Sequence, residues 1–167
     1  VLGPDAESVA LAWRFPGLAS KDFEVLQVVS QVLYNGKAGL IDLDLNQQQK
    51  VLNSYGYPMG LADYSAFILG GLPKQGQTLE EVKDLLLNEI KKLRAGEFDE
   101  KMLQANINNF KLYELQSMES NEGRADIFVN SFINGTNWED EVTAIDRMAK
   151  LTKEDIVAFA DKYLKED

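Results

Sequence analysis

The chain has 167 residues, 45% of them hydrophobic, and a formal charge of −10. That balance, with no basic cluster to offset it, repels phosphate backbones and anionic lipid, which argues against nucleic acid and membrane surfaces as partners. No run of about 18 apolar residues is present to span a bilayer. With neither His nor Cys in the chain, the Ser-His-Asp, Cys-His and His-x-x-Glu-His chemistries and thiolate metal sites cannot be assembled from it alone.

Length and composition predict one compact domain spanning 1–167. The opening Val1-Leu2-Gly3-Pro4-Asp5 lacks the basic-then-apolar order of a signal peptide, and the absence of an initiator Met suggests a piece excised from a longer protein. From Glu7 to Phe15 the pattern alternates, with Val9, Leu11, Trp13 and Phe15 on one side and Ser8, Ala10, Ala12 and Arg14 on the other. This predicts a half-buried strand that ends at Pro16-Gly17. Ser20 then caps a helix carrying Val25, Leu26, Val29, Val32 and Leu33, with Asn35-Gly36 as its stop. Ala38 to Gln49 is ambiguous between helix and strand and is read as a short helix. Lys50 to Gly60 alternates as a second strand, which a turn at Gly60 to Asp63 pairs with a third over Tyr64 to Gly70. Both sides of that third strand are largely apolar, as expected of an interior strand.

After Gly70 the chain turns helical. Thr78 and Glu81 form a capping box in front of Leu79, Val82, Leu86, Ile90 and Leu93, and Gly96 supplies the stop. Asp99 caps a helix with Leu103, Ile107, Phe110 and Glu114 in line. A further helix from Asn121 carries Ile127, Phe128, Phe132 and Ile133 and stops at Asn134-Gly135. Asn137 caps a shorter one, and Thr152 with Asp155 opens the last, where Leu151 and Ile156 form a hydrophobic staple. The predicted class is α+β, a mainly antiparallel sheet covered by helices in the order β-α-β-β-α-α.

Several local patterns suggest sites. Gly71 to Thr78 has the spacing of a phosphate-binding loop, but Gln77 stands where the Lys should be and the sheet reads as antiparallel, so a plain turn and cap is favoured. Asn134-Gly135-Thr136 matches a glycosylation acceptor, although Asn-Gly is also an ordinary helix stop. Asn106, Asn108 and Asn109 read as a solvated or partner-facing side. Tyr55, Tyr57 and Tyr64 could line a groove. No pair of carboxylates is spaced for acid-base work.

Taken together, Val9-Ala-Leu-Ala-Trp-Arg-Phe-Pro-Gly17, Gly36-Lys-Ala-Gly-Leu-Ile-Asp-Leu-Asp-Leu45, Gly96-Glu-Phe98, Leu151-Thr-Lys-Glu-Asp-Ile156 and Lys162-Tyr-Leu164 resemble the pitrilysin/insulinase family of zinc peptidases, and within it the domain that lacks the metal site. The resemblance implies the fold of mitochondrial-processing-peptidase-like metallohydrolases. It also implies a role as part of a substrate chamber, with no cofactor in this chain, zinc held by a His-x-x-Glu-His domain of the same protein or a partner subunit, and peptides as substrate. A later metal-free domain of the family holds substrate through an Arg and a Tyr seven residues apart. Here the corresponding positions are Gln48 and Tyr55, a departure that favours the domain directly after the zinc domain. The alternative within the family is a scaffold subunit that has lost proteolysis.

Overall fold

A computed structural model of the protein describes residues 6–166; the Val1 to Asp5 opening read for a leader lies outside them. Three antiparallel strands, β1 (Val9–Pro16), β2 (Asn53–Gly60) and β3 (Tyr64–Leu72), form a sheet in the order β1-β3-β2. Among the described residues six α-helices accompany them: α1 (Lys21–Leu33), α2 (Leu79–Arg94), α3 (Lys101–Glu119), α4 (Asn121–Asn134), α5 (Trp138–Met148) and α6 (Lys153–Tyr163). The α+β class and the antiparallel sheet are as the sequence predicts. β3 is the interior strand, with Trp13 opposite Phe67 on one flank and Tyr57 opposite Ile68 on the other.

The helices α1, α2 and α6 lie on one face of the sheet. That face presents Phe15, Phe67 and Leu69, all buried, and α2 lays Val82, Leu86, Ile90 and Leu93 against the core with no exposure. Each such side chain contributes about 1.5–3 kcal/mol of burial. Gly71 of β3 shows how close the layer is, since a Cβ there would stand 2.6 Å from Cγ1 of Val82. Phe15 stacks on Phe159 at 5.7 Å and meets Tyr163 at 4.8 Å, which ties β1 to α6. The caps form as their residue types dictate. Thr78 with Glu81 and Thr152 with Asp155 make reciprocal capping boxes, Ser20 and Asn137 accept from the first turns of α1 and α5, and Gly36, Gly96 and Gly135 take positive φ at the stops.

Three local expectations are corrected. The segment after α1 is helical but includes a π-helical turn, Asp42–Asn46, where Gln47 N donates to the Asp42 carbonyl at 2.8 Å. The second strand begins at Asn53, not Lys50, because Gln49 adopts a left-handed φ of 50° and reverses the chain just before it. Asn106 is buried at 2% exposure, whereas Asn108 and Asn109 are exposed; three residues after Leu103 and one before Ile107, it falls in the inward stripe of α3.

Side chains hold the π-helical turn in place. Asp42 accepts from Asn35 N at 2.9 Å and Gly39 N at 3.0 Å. Asn46 grips the start of β2, donating to the Ser54 carbonyl at 2.9 Å and accepting from Ser54 N and Oγ at 2.8 and 2.9 Å. Asn46→Ala removes all three bonds and leaves the buried Ser54 hydroxyl without that partner. The expected cost is about 2–3 kcal/mol in urea unfolding; a loss below about 0.5 kcal/mol would show that the turn holds itself.

A second anchor joins this turn to α2. Lys92 Nζ bridges Asp44 at 2.6 Å and the buried Glu89 at 2.9 Å. Burial pushes the Glu89 carboxyl above its ordinary 4.5, against the bonding and charge of Lys92, and the nearby Asp44 adds to the rise. The hydrogen bond from Lys92 holds Asp44 below its ordinary value despite some burial. A raised carboxyl binds its proton more tightly folded than unfolded, so its contribution to stability falls as pH rises from 4.5 through the native pKa. Glu89→Gln is therefore expected to raise the melting temperature at pH 7, with an advantage that shrinks towards pH 4.5. A gap that is constant or grows on acidification would contradict this.

Candidate functional site on the bare face of the sheet

Among the described residues no helix packs on the second face of the sheet. Along β1 that face presents Ala10, Ala12 and Arg14, along β3 Tyr64, Ala66, Ile68 and Gly70, and along β2 Tyr55, Tyr57 and Met59. Register places Tyr55 beside Gly70, Tyr57 and Ala12 on either side of Ile68, and Met59 and Arg14 on either side of Ala66. Apart from the tightly covered Gly70 these residues are half-buried or exposed, so a nearly continuous apolar surface faces outward. A sheet face of this composition normally packs on a second layer or lines a binding space.

Two features fix its texture. The Tyr55 ring lies across Gly70, where an added Cβ would stand 2.4 Å from Cζ, and it stacks on Tyr57 at 6.2 Å. Only glycine on β3 lets the phenol lie flat against the sheet. At the other end the Arg14 guanidinium sits 3.5 Å above the centre of the Tyr64 ring, the one charged group that the described strands place on this face. Of the sequence-predicted residues, Tyr55, Tyr57 and Tyr64 are thus brought to one face. Gln48 lies in the exposed turn before β2, and no hydrogen bond joins it to Tyr55 among the described residues. Sequence reading alone does not single out Ala12, Ala66 and Ile68, although the two-sided apolar pattern of β3 is their signal.

The loop with phosphate-binding spacing is occupied with its own structure. Lys74 Nζ donates to the Gln49 carbonyl at 2.7 Å, and Gln77 donates to the Lys50 carbonyl at 3.0 Å while accepting from Lys74 N at 3.1 Å. Both long polar side chains therefore brace the turn before β2, and the preceding strand is antiparallel to both neighbours. Asn134-Gly135 ends α4, with Gly135 at φ 63°. Among the described residues no group of three or more His, Cys, Asp or Glu is placed to hold a metal ion, and no helix is long and apolar enough to cross a membrane.

A family model described as the peptidase M16 inactive domain matches residues 2–110. The chain belongs to that family. Its curated relative named zinc protease PqqE, from Helicobacter pylori, is 27% identical over 169 residues, a match covering 98% of this chain and 37% of the relative. A solved protease from Helicobacter pylori superimposes with a TM-score of 0.88 at 22% identity, over 95% of this chain and 38% of that one. The peptidase M16 inactive domain from Pseudomonas fluorescens gives 0.79 at 12% identity, over 98% of this chain and 39% of that one. At these identities the structures show a shared fold, and the chain spans under two fifths of each of these three relatives. The resemblance to the metal-free domain of zinc peptidases thus holds at the level of family and fold.

The Tyr55 and Gly70 contact can be tested directly. Gly70→Ala in this inactive domain is expected to swing the ring off the sheet, visible as lost ring-current shifts at Gly70 and Ile68 neighbours. The stability cost should be only about 1 kcal/mol, because the displaced ring is half-exposed and free to move. Unaltered shifts would show that the ring does not rest there.

Proposed function

We propose that this M16 inactive domain is a metal-free wall of the substrate chamber of a zinc endopeptidase, packed with a zinc-bearing domain that does the cutting. The observation that supports this reading best is the helix-free apolar sheet face. It offers a peptide a broad surface of Ala12, Ala66, Ile68 and Met59, with the Tyr55 and Tyr57 phenols able to bond backbone as well as cover side chains. Tyr55 is the first candidate substrate contact. Gln48, an amide at the position where a later domain of such peptidases has a cation, is the second.

Among the described residues no group is placed to hold a metal ion, and in this reading the zinc-bearing domain would supply the Lewis acid and the attacking water. The work of this chain is positional. A surface that holds an extended peptide converts part of the barrier from a search for orientation into binding already made, and its apolar lining keeps bulk water away from the bond being cut.

The zinc-bearing domain of the same protein, produced separately and added to this chain, is expected to cleave an unstructured peptide that neither piece cleaves alone. Ile68→Lys on the bare face should reduce that activity about tenfold or more without loss of secondary structure. An inactive mixture in which the two pieces nevertheless co-elute would instead favour a scaffold subunit of the same family.

A further inference from the structure

Helix α4 is built inside out. Its inward positions are Ile127, Ser131 and Asn134, and Ser131 is its one buried residue. With Asn130, they face a cleft of mixed character, lined by Glu24 and Gln27 of α1 and Asp140 of α5 as well as by Phe23 and Met148. Apart from Ile127, its large apolar residues point away. Phe132 is 88% exposed, Ile133 69%, Phe128 58% and Val129 52%. Trp138, at the start of α5, stacks on Phe128 at 4.3 Å and extends the patch, and Leu112, Tyr113 and Leu115 of α3 are exposed as well. Scattered apolar residues on a surface need no explanation, but four on adjacent positions of one helix, continued by a stacked Trp, mark an interaction surface.

Charge says what covers it. Glu122 and Asp126 continue the Val129 and Ile133 stripe at helical spacing, and Glu139 follows Trp138 directly. None of these three forms an ion pair among the described residues. From residue 111 to 146 eight carboxylates face two cations, Lys111 and Arg124. Arg124 is engaged at the junction of α3 and α4, donating to the Met118 carbonyl at 2.6 Å and to Asn121. Two copies of such a surface would bring like charges together, which costs more than the rim of an ordinary interface returns. A cationic partner meets no such opposition.

We infer that the outer face of α4, with the first turn of α5, docks a protein segment that is apolar on one side and rich in Lys and Arg beside it, in the form of a basic amphipathic helix. This surface is distinct from the bare sheet face. The recognition mode is that of a helix laid against a helix pair, with apolar anchors three and four residues apart meeting Phe128, Phe132 and Trp138 and the flanking cations meeting Glu122, Asp126 and Glu139.

The test uses the full chain and two synthetic peptides of about 18 residues, an amphipathic Leu/Lys helix and its Leu/Glu counterpart, at about 0.05 M salt. Binding of the Leu/Lys peptide is expected to shift Trp138 emission to the blue, a shift absent in Trp138→Phe, while the Leu/Glu peptide does nothing. Phe132→Ser should weaken binding about tenfold or more, and the double variant Glu122→Lys, Asp126→Lys should do the same. Both variants alter exposed positions and should keep the parent circular dichroism. Three results would overturn the proposal: no binding, equal binding of both peptides, or binding that survives Phe132→Ser. A concentration-dependent dimer of the parent chain, dissolved by Phe132→Ser, would also overturn it by assigning the face to a second copy.

Discussion

Strand β3 is hydrogen-bonded along both flanks and apolar on both faces, and that double demand governs the rest of the molecule. One face is met within the chain, by α1, α2 and α6. The other is not. A three-stranded sheet buries too little by itself to stand alone in water, so the helical layer supplies stability while the bare layer remains available. Gly71 and Gly70, adjacent on β3, express the two solutions: one admits a helix to close range, and the other admits a tyrosine ring.

The turn before β2 depends on the same arrangement. Its backbone is shaped by a π-helical turn and a left-handed Gln49, and neither would persist unsupported. Support arrives from both ends of the chain segment, through Asp42 on the side of α1, Asn46 on β2, Lys92 from α2, and Lys74 with Gln77 from the loop after β3. Side chains that could have cradled a phosphate are spent on positioning the strand that carries Tyr55.

Much of this was legible in the sequence wherever a local rule coincided with the tertiary one. The capping boxes at Thr78 and Thr152 and the glycine stops act within one turn of helix, and α2 and α6 form where their residues say. The two-sided apolar pattern of Tyr64 to Gly70 likewise identified the central strand. What was not legible depends on long-range partners. The late start of β2 follows from the left-handed turn at Gln49, which Asn46 holds in place by reaching Ser54, eight residues on. Burial of Asn106 follows from which side of α3 meets α1. The exposure of Phe128 and Phe132 follows from α4 resting on α3 and α5 with its polar side inward. For the candidate site, three tyrosines were visible as a pattern, but not that the sheet leaves their face open, and Gln48 and Tyr55 were linked only by family resemblance.

The stack of Phe15 on Phe159 and Tyr163 joins the first strand to the last helix. During synthesis on a ribosome, β1 emerges before α6 does, and Phe15 lacks its Phe159 and Tyr163 partners until some 140 further residues have been added. Closing so large a loop is slow, and the nascent sheet spends that interval with unprotected hydrophobic surface. A sheet completed only when α6 docks leaves that surface open to aggregation in any species lacking α6.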